Sequence, residues 1–218
     1  GASAKTKAHG EALALLRGFL SRLRAFRVLD PACGSGNFLY LALLALKDLE
    51  HRVNIEAEAL GFQRELPAIG PESVLGIEIN PYAAELARVS VWIGEIQWLR
   101  RNGFGVPQNP ILKALETIEC RDALLNADGT EALWPEADAI IGNPPFLGAS
   151  RMMRVLDEKY LEQIRESYRG RVGGFADLVC YWFEKAWVQA RKHQHLRVGL
   201  VATNSIRFGE NRAVLDRV

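Results

Sequence analysis

Arg27-Val28-Leu29-Asp30-Pro31-Ala32-Cys33-Gly34-Ser35-Gly36-Asn37-Phe38, RVLDPACGSGNF, is the stretch on which the fold turns. A short apolar strand ends at Asp30-Pro31, two glycines follow, and alanine and leucine dominate residues 38–49, which predicts a helix starting just after the glycines. Strand, glycine turn and helix make the opening half of a βαβ unit. Main-chain N–H groups and the positive helix end then face a ligand at close range, so the ligand is acidic or strongly polar. No third glycine stands at dinucleotide spacing and no P-loop Lys-Ser/Thr follows, which disfavours a pyrophosphate. By itself, a G-x-G also marks an ordinary tight connection.

Outward from this turn, strands alternate with helices. Residues 7–25 place Leu13, Leu16, Phe19, Leu20 and Leu23 at helical spacing. Residues 50–71 mix charges with glycine and proline and read as an irregular insertion ending the first crossover helix. Residues 73–79 form a second strand, and Asn80-Pro81 caps a helix running to about residue 99. A Gly/Pro/Asn-rich loop follows to residue 110, then strands at 117–121 and 137–142. Residues 147–174 carry many charges and three late glycines, the composition of a long mobile loop with a short helix inside. A helix at 175–192, a strand at 197–203 and a helix from 210 complete the chain. The alternation predicts an α/β fold with a parallel sheet covered on both faces. Residues 1–26 read as an N-terminal helical segment and 27–218 as one catalytic domain.

The 218 residues are 49% hydrophobic, enough for a single domain with its own core. A formal charge of +1 neither demands nor excludes nucleic acid. Cys33, Cys120 and Cys180 lack the paired spacing of a zinc site or a disulfide framework, so no metal is expected and the chain reads as reduced and cytoplasmic. No apolar run reaches the roughly 20 residues that span a bilayer, and the N-terminus lacks a signal-peptide layout; no membrane partner is expected. The chain stops at Val218 inside what reads as a helix, so a fragment of something longer is expected.

Two carboxylates stand where such sheets bind ligands. Glu78, near the end of the second strand, is placed to accept both hydroxyls of a ribose, or is merely an exposed strand-end charge. Asp122, after the third strand, is placed to accept from an adenine amino group, or simply forms a turn. Together with the glycine turn they describe one crevice fitting a nucleoside with a polar tail and no phosphate. The fourth strand runs into Ile140-Ile141-Gly142-Asn143-Pro144-Pro145-Phe146-Leu147-Gly148, and two prolines in succession force the chain out of the sheet at Asn143.

These segments, in this order, resemble the amino-group DNA methyltransferases, specifically the adenine-N6 enzymes whose cofactor motif precedes a catalytic NPPF. DPACGSGNF is similar to their S-adenosylmethionine motif, GIEIN (76–80) to their ribose carboxylate, CRDAL (120–124) to their adenine-contacting acid and IIGNPPF to their catalytic tetrapeptide. FADLVCYWFEKA (175–186) and RVGLVATNSI (197–206) resemble the family's later helix and strand. The resemblance implies a Rossmann-like methyltransferase sheet and S-adenosylmethionine as cofactor. It implies cofactor contacts from Asp30, Pro31, Ala32, Cys33, Gly34, Gly36, Asn37, Phe38, Glu78, Ile79, Asp122 and Ala123. It assigns catalysis to Asn143, Pro144, Pro145 and Phe146. The partner it implies is double-stranded DNA. The segment after NPPFLG is most similar to large single-chain restriction–modification proteins, which implies further domains or subunits for target recognition and cleavage. On this comparison a target-recognition domain is absent and the last strands lie beyond Val218.

The chemistry explains the tetrapeptide. An adenine N6 amine is a poor nucleophile because its lone pair is delocalised into the ring, and two acceptors near its hydrogens bend it toward a tetrahedral shape. Asn143 offers a side-chain oxygen and Pro144 its carbonyl, each held extended by the proline that follows. Phe146 offers a face for a flipped base; the bland reading is a rigid proline turn with Phe146 returning to the core. Trp182, Phe183 and Trp187 are spaced as a buried helix face and read as core. His193 and His195 read as solvated surface. The arginines of 147–175 are read as touching DNA phosphates, against a solvated, internally paired charge run. Rival readings are a glutamine-amide protein methyltransferase, an RNA guanine-N2 methyltransferase, which commonly show tyrosine where Phe146 stands, and a non-catalytic cofactor- or DNA-binding module.

Overall fold

The computed structural model describes residues 2–105 and 114–217, with side chains from Lys7 onward. The expected loop up to residue 110 lies outside the described residues from 106 on. Among the described residues, five strands form one sheet: β1 (Val28–Asp30), β2 (Val74–Glu78), β3 (Ile118–Cys120), β4 (Ala139–Gly142) and β5 (Arg197–Leu200). Their order is β3-β2-β1-β4-β5 and every pairing is parallel. The order reverses between β1 and β4, and such a reversal opens a crevice at the carboxyl ends of the strands.

Residue alternation assigns each face of the sheet its own core. Val28, Val74 and Ile118 turn to one side, where Leu39, Leu43 and Leu46 of α2 (Asn37–Ala59) and Ala84, Ala87 and Val91 of α3 (Pro81–Arg101) cover them. Leu29, Ile77 and Ile140 turn to the other, beneath α6 (Val179–Lys192) and its neighbours. Leu23 of α1 (Ala2–Ala25) adds to the first core, so the N-terminal helix is fastened to the domain. Among the described residues, no helix is long and apolar enough to cross a membrane.

Two expectations are corrected. The first crossover helix does not stop near residue 50: α2 runs to Ala59, and the irregular stretch begins at Leu60. Three polar residues from its middle onward, Lys47, Glu50 and Asn54, which look solvent-facing in sequence, are buried and satisfied. Glu50, fully buried, accepts from Arg24 Nε at 2.8 Å and from the N–H groups of Ala68 and Ile69 at 3.0 and 3.1 Å. Asn54 donates to Glu50 O and accepts from Glu65 N. Lys47 Nζ donates to Ile69 O at 2.7 Å and to Glu95, and lies over the Trp98 ring. Residues 60–70 are therefore strapped to α2 by groups that would be costly to bury unpaired.

The second correction concerns 147–174. A mobile loop with one short helix was expected; two helices stand there, α4 (Ala149–Val155) and α5 (Glu158–Ser167). Met152, Leu161, Ile164 and Tyr168 are buried in the same core as β1 and β4. The charges that hid this face outward, and α5 starts on Asp157, whose side chain accepts from Tyr160 N. The last helix, α7 (Gly209–Leu215), packs Val214 into that core.

Candidate active site

The glycine turn is fixed to β2 at two points. Cys33 N donates to Ile77 O at 3.1 Å, and Gly34 N donates to Glu78 Oε2 at 2.9 Å. Gly36 stands at φ +85, and a Cβ there would meet Ala87 Cα at 2.9 Å, so glycine is required both by conformation and by the close approach of α3. At Gly34, φ is +53 and a Cβ would meet nothing within 4 Å: conformation alone demands glycine, and the space beside it is open. Asp30 ends β1 fully buried, its carboxylate accepting from Ala32 N at 3.0 Å. Burial, with the nearby Glu78 charge, pushes its carboxyl up to about 7. Burial and the Asp30 charge likewise push the Cys33 thiol up to about 12, so this cysteine is a packing residue and an inert thiol.

Glu78 bridges the turn and the next helix: its second oxygen accepts from Asn80 N at 2.8 Å, and Asn80 in turn caps α3 by accepting from Tyr82 N and Ala83 N. A carboxylate oxygen has two lone-pair sites, so both oxygens keep acceptor capacity. Asp122 accepts from Leu124 N at 2.7 Å, the turn-forming role, while also facing the cleft.

One cleft of about 600 Å³ collects half of the expected residues. Pro31, Ala32, Glu78, Ile79, Asp122, Ala123, Asn143 and Pro145 line it together. Asp30 and Cys33 lie buried behind the wall, whereas Gly34, Gly36, Asn37 and Phe38 build the turn and helix start without lining this volume. Pro144 is buried, and Phe146 stays 37% exposed instead of returning to the core. The tetrapeptide is held at both ends: Val201 N donates to Gly142 O at 2.9 Å, and Leu178 N to Leu147 O at 2.8 Å. A Cβ at Gly142 would fall 2.6 Å from Asp30 Oδ1, so the exit of β4 is seated directly on the end of β1.

Several cleft residues escaped the sequence reading. Trp182, assigned to core packing, is buried but also lines the cleft, and its indole N–H donates to Pro31 O at 3.2 Å. A buried indole needs an acceptor, and that requirement was the available signal. Leu156, Asp157 and Tyr160 close the far wall from α4 and α5. The Tyr160 hydroxyl hydrogen-bonds Asp122; burial, then that charge, raise its pKa well above the usual tyrosine value. The helical recurrence of Leu161, Ile164 and Tyr168 was the signal missed there.

The chain that carries this crevice has counterparts among known proteins. The model of the MmeI DNA-methyltransferase domain matches residues 3–217. The chain belongs to that family. It carries the DNA-methyltransferase domain on a Rossmann-like α/β sheet, as the resemblance implied. DNA methyltransferase A of Bacillus subtilis (strain 168) is 30% identical over 211 residues, which are 92% of this chain and 23% of that protein. The type IIL restriction–modification enzyme MmeI in complex with DNA superposes with a TM-score of 0.70 at 26% identity, over 94% of this chain and 28% of MmeI. The ATP-dependent type ISP restriction–modification enzyme LlaBIII bound to DNA shares the fold, with a TM-score of 0.52 at 17% identity over 87% of this chain and 13% of that one. The chain thus spans about a quarter of the relatives it resembles along nearly its whole length. The family's description names DNA methylation, not a protein or RNA substrate.

Proposed function

We propose that this domain transfers a methyl group from S-adenosylmethionine to the N6 amine of an adenine flipped out of double-stranded DNA, within a larger restriction–modification protein. Residues 27–218 form the catalytic body and residues 1–26 a helical lead-in. One observation carries the reading: Asn143 and Pro145 line the same cleft as Glu78 and Asp122, so a grip for an amine and a seat for a nucleoside open into one space.

The residues fit the cofactor. Ile79 and Trp182 offer apolar faces for a purine, Asp122 and Glu78 offer acceptors for its amino group and ribose hydroxyls, and open space beside Gly34 admits a polar tail. When bound, S-adenosylmethionine supplies an already activated methyl group, so the protein needs only to position and to polarise. Asn143 and the Pro144 carbonyl accept the two N6 hydrogens and draw the nitrogen lone pair out of ring conjugation. With the methyl group delivered from the bound cofactor, Asn143 and the Pro144 carbonyl would hold N6 in place, and the exposed Asn143 edge would let the surplus proton of N6 pass to water. Phe146 stacks on the extruded base, a contact worth roughly 1–3 kcal/mol.

The test separates the two halves of the site. Calorimetric titration with S-adenosylhomocysteine is expected to show binding by the parent and by Asn143→Ala, and loss in Glu78→Ala. Methyl transfer to DNA by the full natural chain, read by nucleoside mass spectrometry, is expected to yield N6-methyladenine and to vanish in Asn143→Ala. Transfer surviving that substitution, or N4-methylcytosine as product, overturns the proposal.

A further inference from the structure

Three of the exposed large apolar side chains belong to segments far apart in sequence that meet beside the catalytic exit. Phe146 is 37% exposed, Phe175 70% and Phe208 65%. Each stands a few residues from the same polar knot, centred on Asp177. Its carboxylate accepts from Ser205 Oγ at 3.0 Å and Asn211 Nδ2 at 2.8 Å, and its N–H donates to Asn211 Oδ1 at 2.7 Å. One residue on, Leu178 N holds Leu147 O, next to Phe146. Two residues back, Phe175 N donates to Glu210 Oε2 at 2.8 Å, just past Phe208. The knot fixes three backbones and leaves three rings in water.

Large apolar side chains held out by a rigid, hydrogen-bonded frame at the lip of a site mark a binding surface. We propose that Phe175 and Phe208 extend the Phe146 face into an aromatic rim that stacks on DNA bases unstacked around the flipped adenine. The inference rests on the base-flipping reading above. Two observations favour DNA as the occupant. The rim is continuous with the catalytic exit through the Leu147–Leu178 hydrogen bond. Arg207, adjoining Phe208, is exposed and makes no ion pair among the described residues, which suits a phosphate. Glu210, the nearby opposite charge, is engaged by Phe175 N. Bases offer π-faces to aromatic side chains whatever their sequence, so the rim supports flipping without reading the site.

The experiment uses the full natural chain and two labelled duplexes, one with a single adenine opposite an abasic site and one fully paired. The unpaired adenine lowers the cost of extrusion, so the parent is expected to prefer the first duplex. Phe175→Ala and Phe208→Ala are each expected to reduce that preference by roughly five- to a hundredfold, the range of one stacked base. Binding of S-adenosylhomocysteine stays at the parent value. Phe175→Leu and Phe208→Leu, which keep apolar bulk without a π-face, behave like the alanine variants. Parent-like preference in the alanine or leucine variants overturns the rim while leaving the methyltransferase reading intact. A parent that transfers methyl groups yet shows no preference overturns it too. Absence of both preference and transfer in the parent removes the underlying reading with it.

Discussion

The two flanks of the cleft are built on different principles. The β1–α2–β2 flank is governed by backbone: two glycines at positive φ, an Asn cap, a helix approaching so closely that a Cβ at Gly36 would strike Ala87. The α4–α5 flank is governed by burial: ordinary residues whose apolar members happen to share one helical face against the core. Backbone rules leave a local mark in the sequence; burial leaves a mark only in relation to a partner.

Breaking each flank has a distinct signature. The largest loss is expected at Tyr168→Ala, which empties a fully buried ring and its hydrogen bond to Leu124 O; about 3–5 kcal/mol of stability goes, read by denaturant unfolding. A cost below about 0.5 kcal/mol would return 147–174 to the status of a loop. Gly36→Ala is expected to cost about 2–4 kcal/mol on the opposite flank through combined strain and overpacking. Unlike Tyr168→Ala, it should also weaken S-adenosylhomocysteine binding by displacing the turn.

Protonation sharpens the contrast further. Asp30 has a folded-state value raised to about 7 by burial, above that of the unfolded chain. Its contribution to stability is therefore present in full below about pH 4 and is lost as pH rises through about 7. Asp30→Asn, which keeps an acceptor for Ala32 N–H, is expected to flatten the stability profile across that window and to exceed the parent at pH 8, measured by unfolding at each pH. The smallest effect is a matter of rate. Cys33 belongs to one flank and Cys180 to the other, and burial pushes both thiols up to about 12, whereas Cys120 is exposed. One thiol should react promptly with an aromatic disulfide reagent and two slowly. If Cys180 then outpaces Cys33, the burial-built flank opens more readily than the backbone-built one.

Legibility in the sequence follows the same division. The strands, the glycine turn and the exit at Asn143 were readable because proline, glycine and period-two alternation act within a few residues. Glu78 and Asp122 were readable by position, at the ends of their strands. The length of α2 was not, because Glu50 and Asn54 look solvated until residues 60–70 and Arg24 supply their partners. Nor was the double life of Trp182, whose spacing fits a core position equally well; that it also walls the cleft depends on Pro31 being across from it.

The Pro144-Pro145 pair carries one more implication. Neither residue has an amide hydrogen, so for two successive positions the backbone at the exit of β4 presents oxygen and no donor. On the proposed reading, a base edge that brings an amino group would find complementary charge there. A keto edge, such as thymine O4 or guanine O6, brings oxygen against oxygen. If the exit seats the target base as proposed, discrimination between amino and keto bases would be written partly into a main chain from which two hydrogens are missing, where substitution of a neighbouring side chain would not erase it.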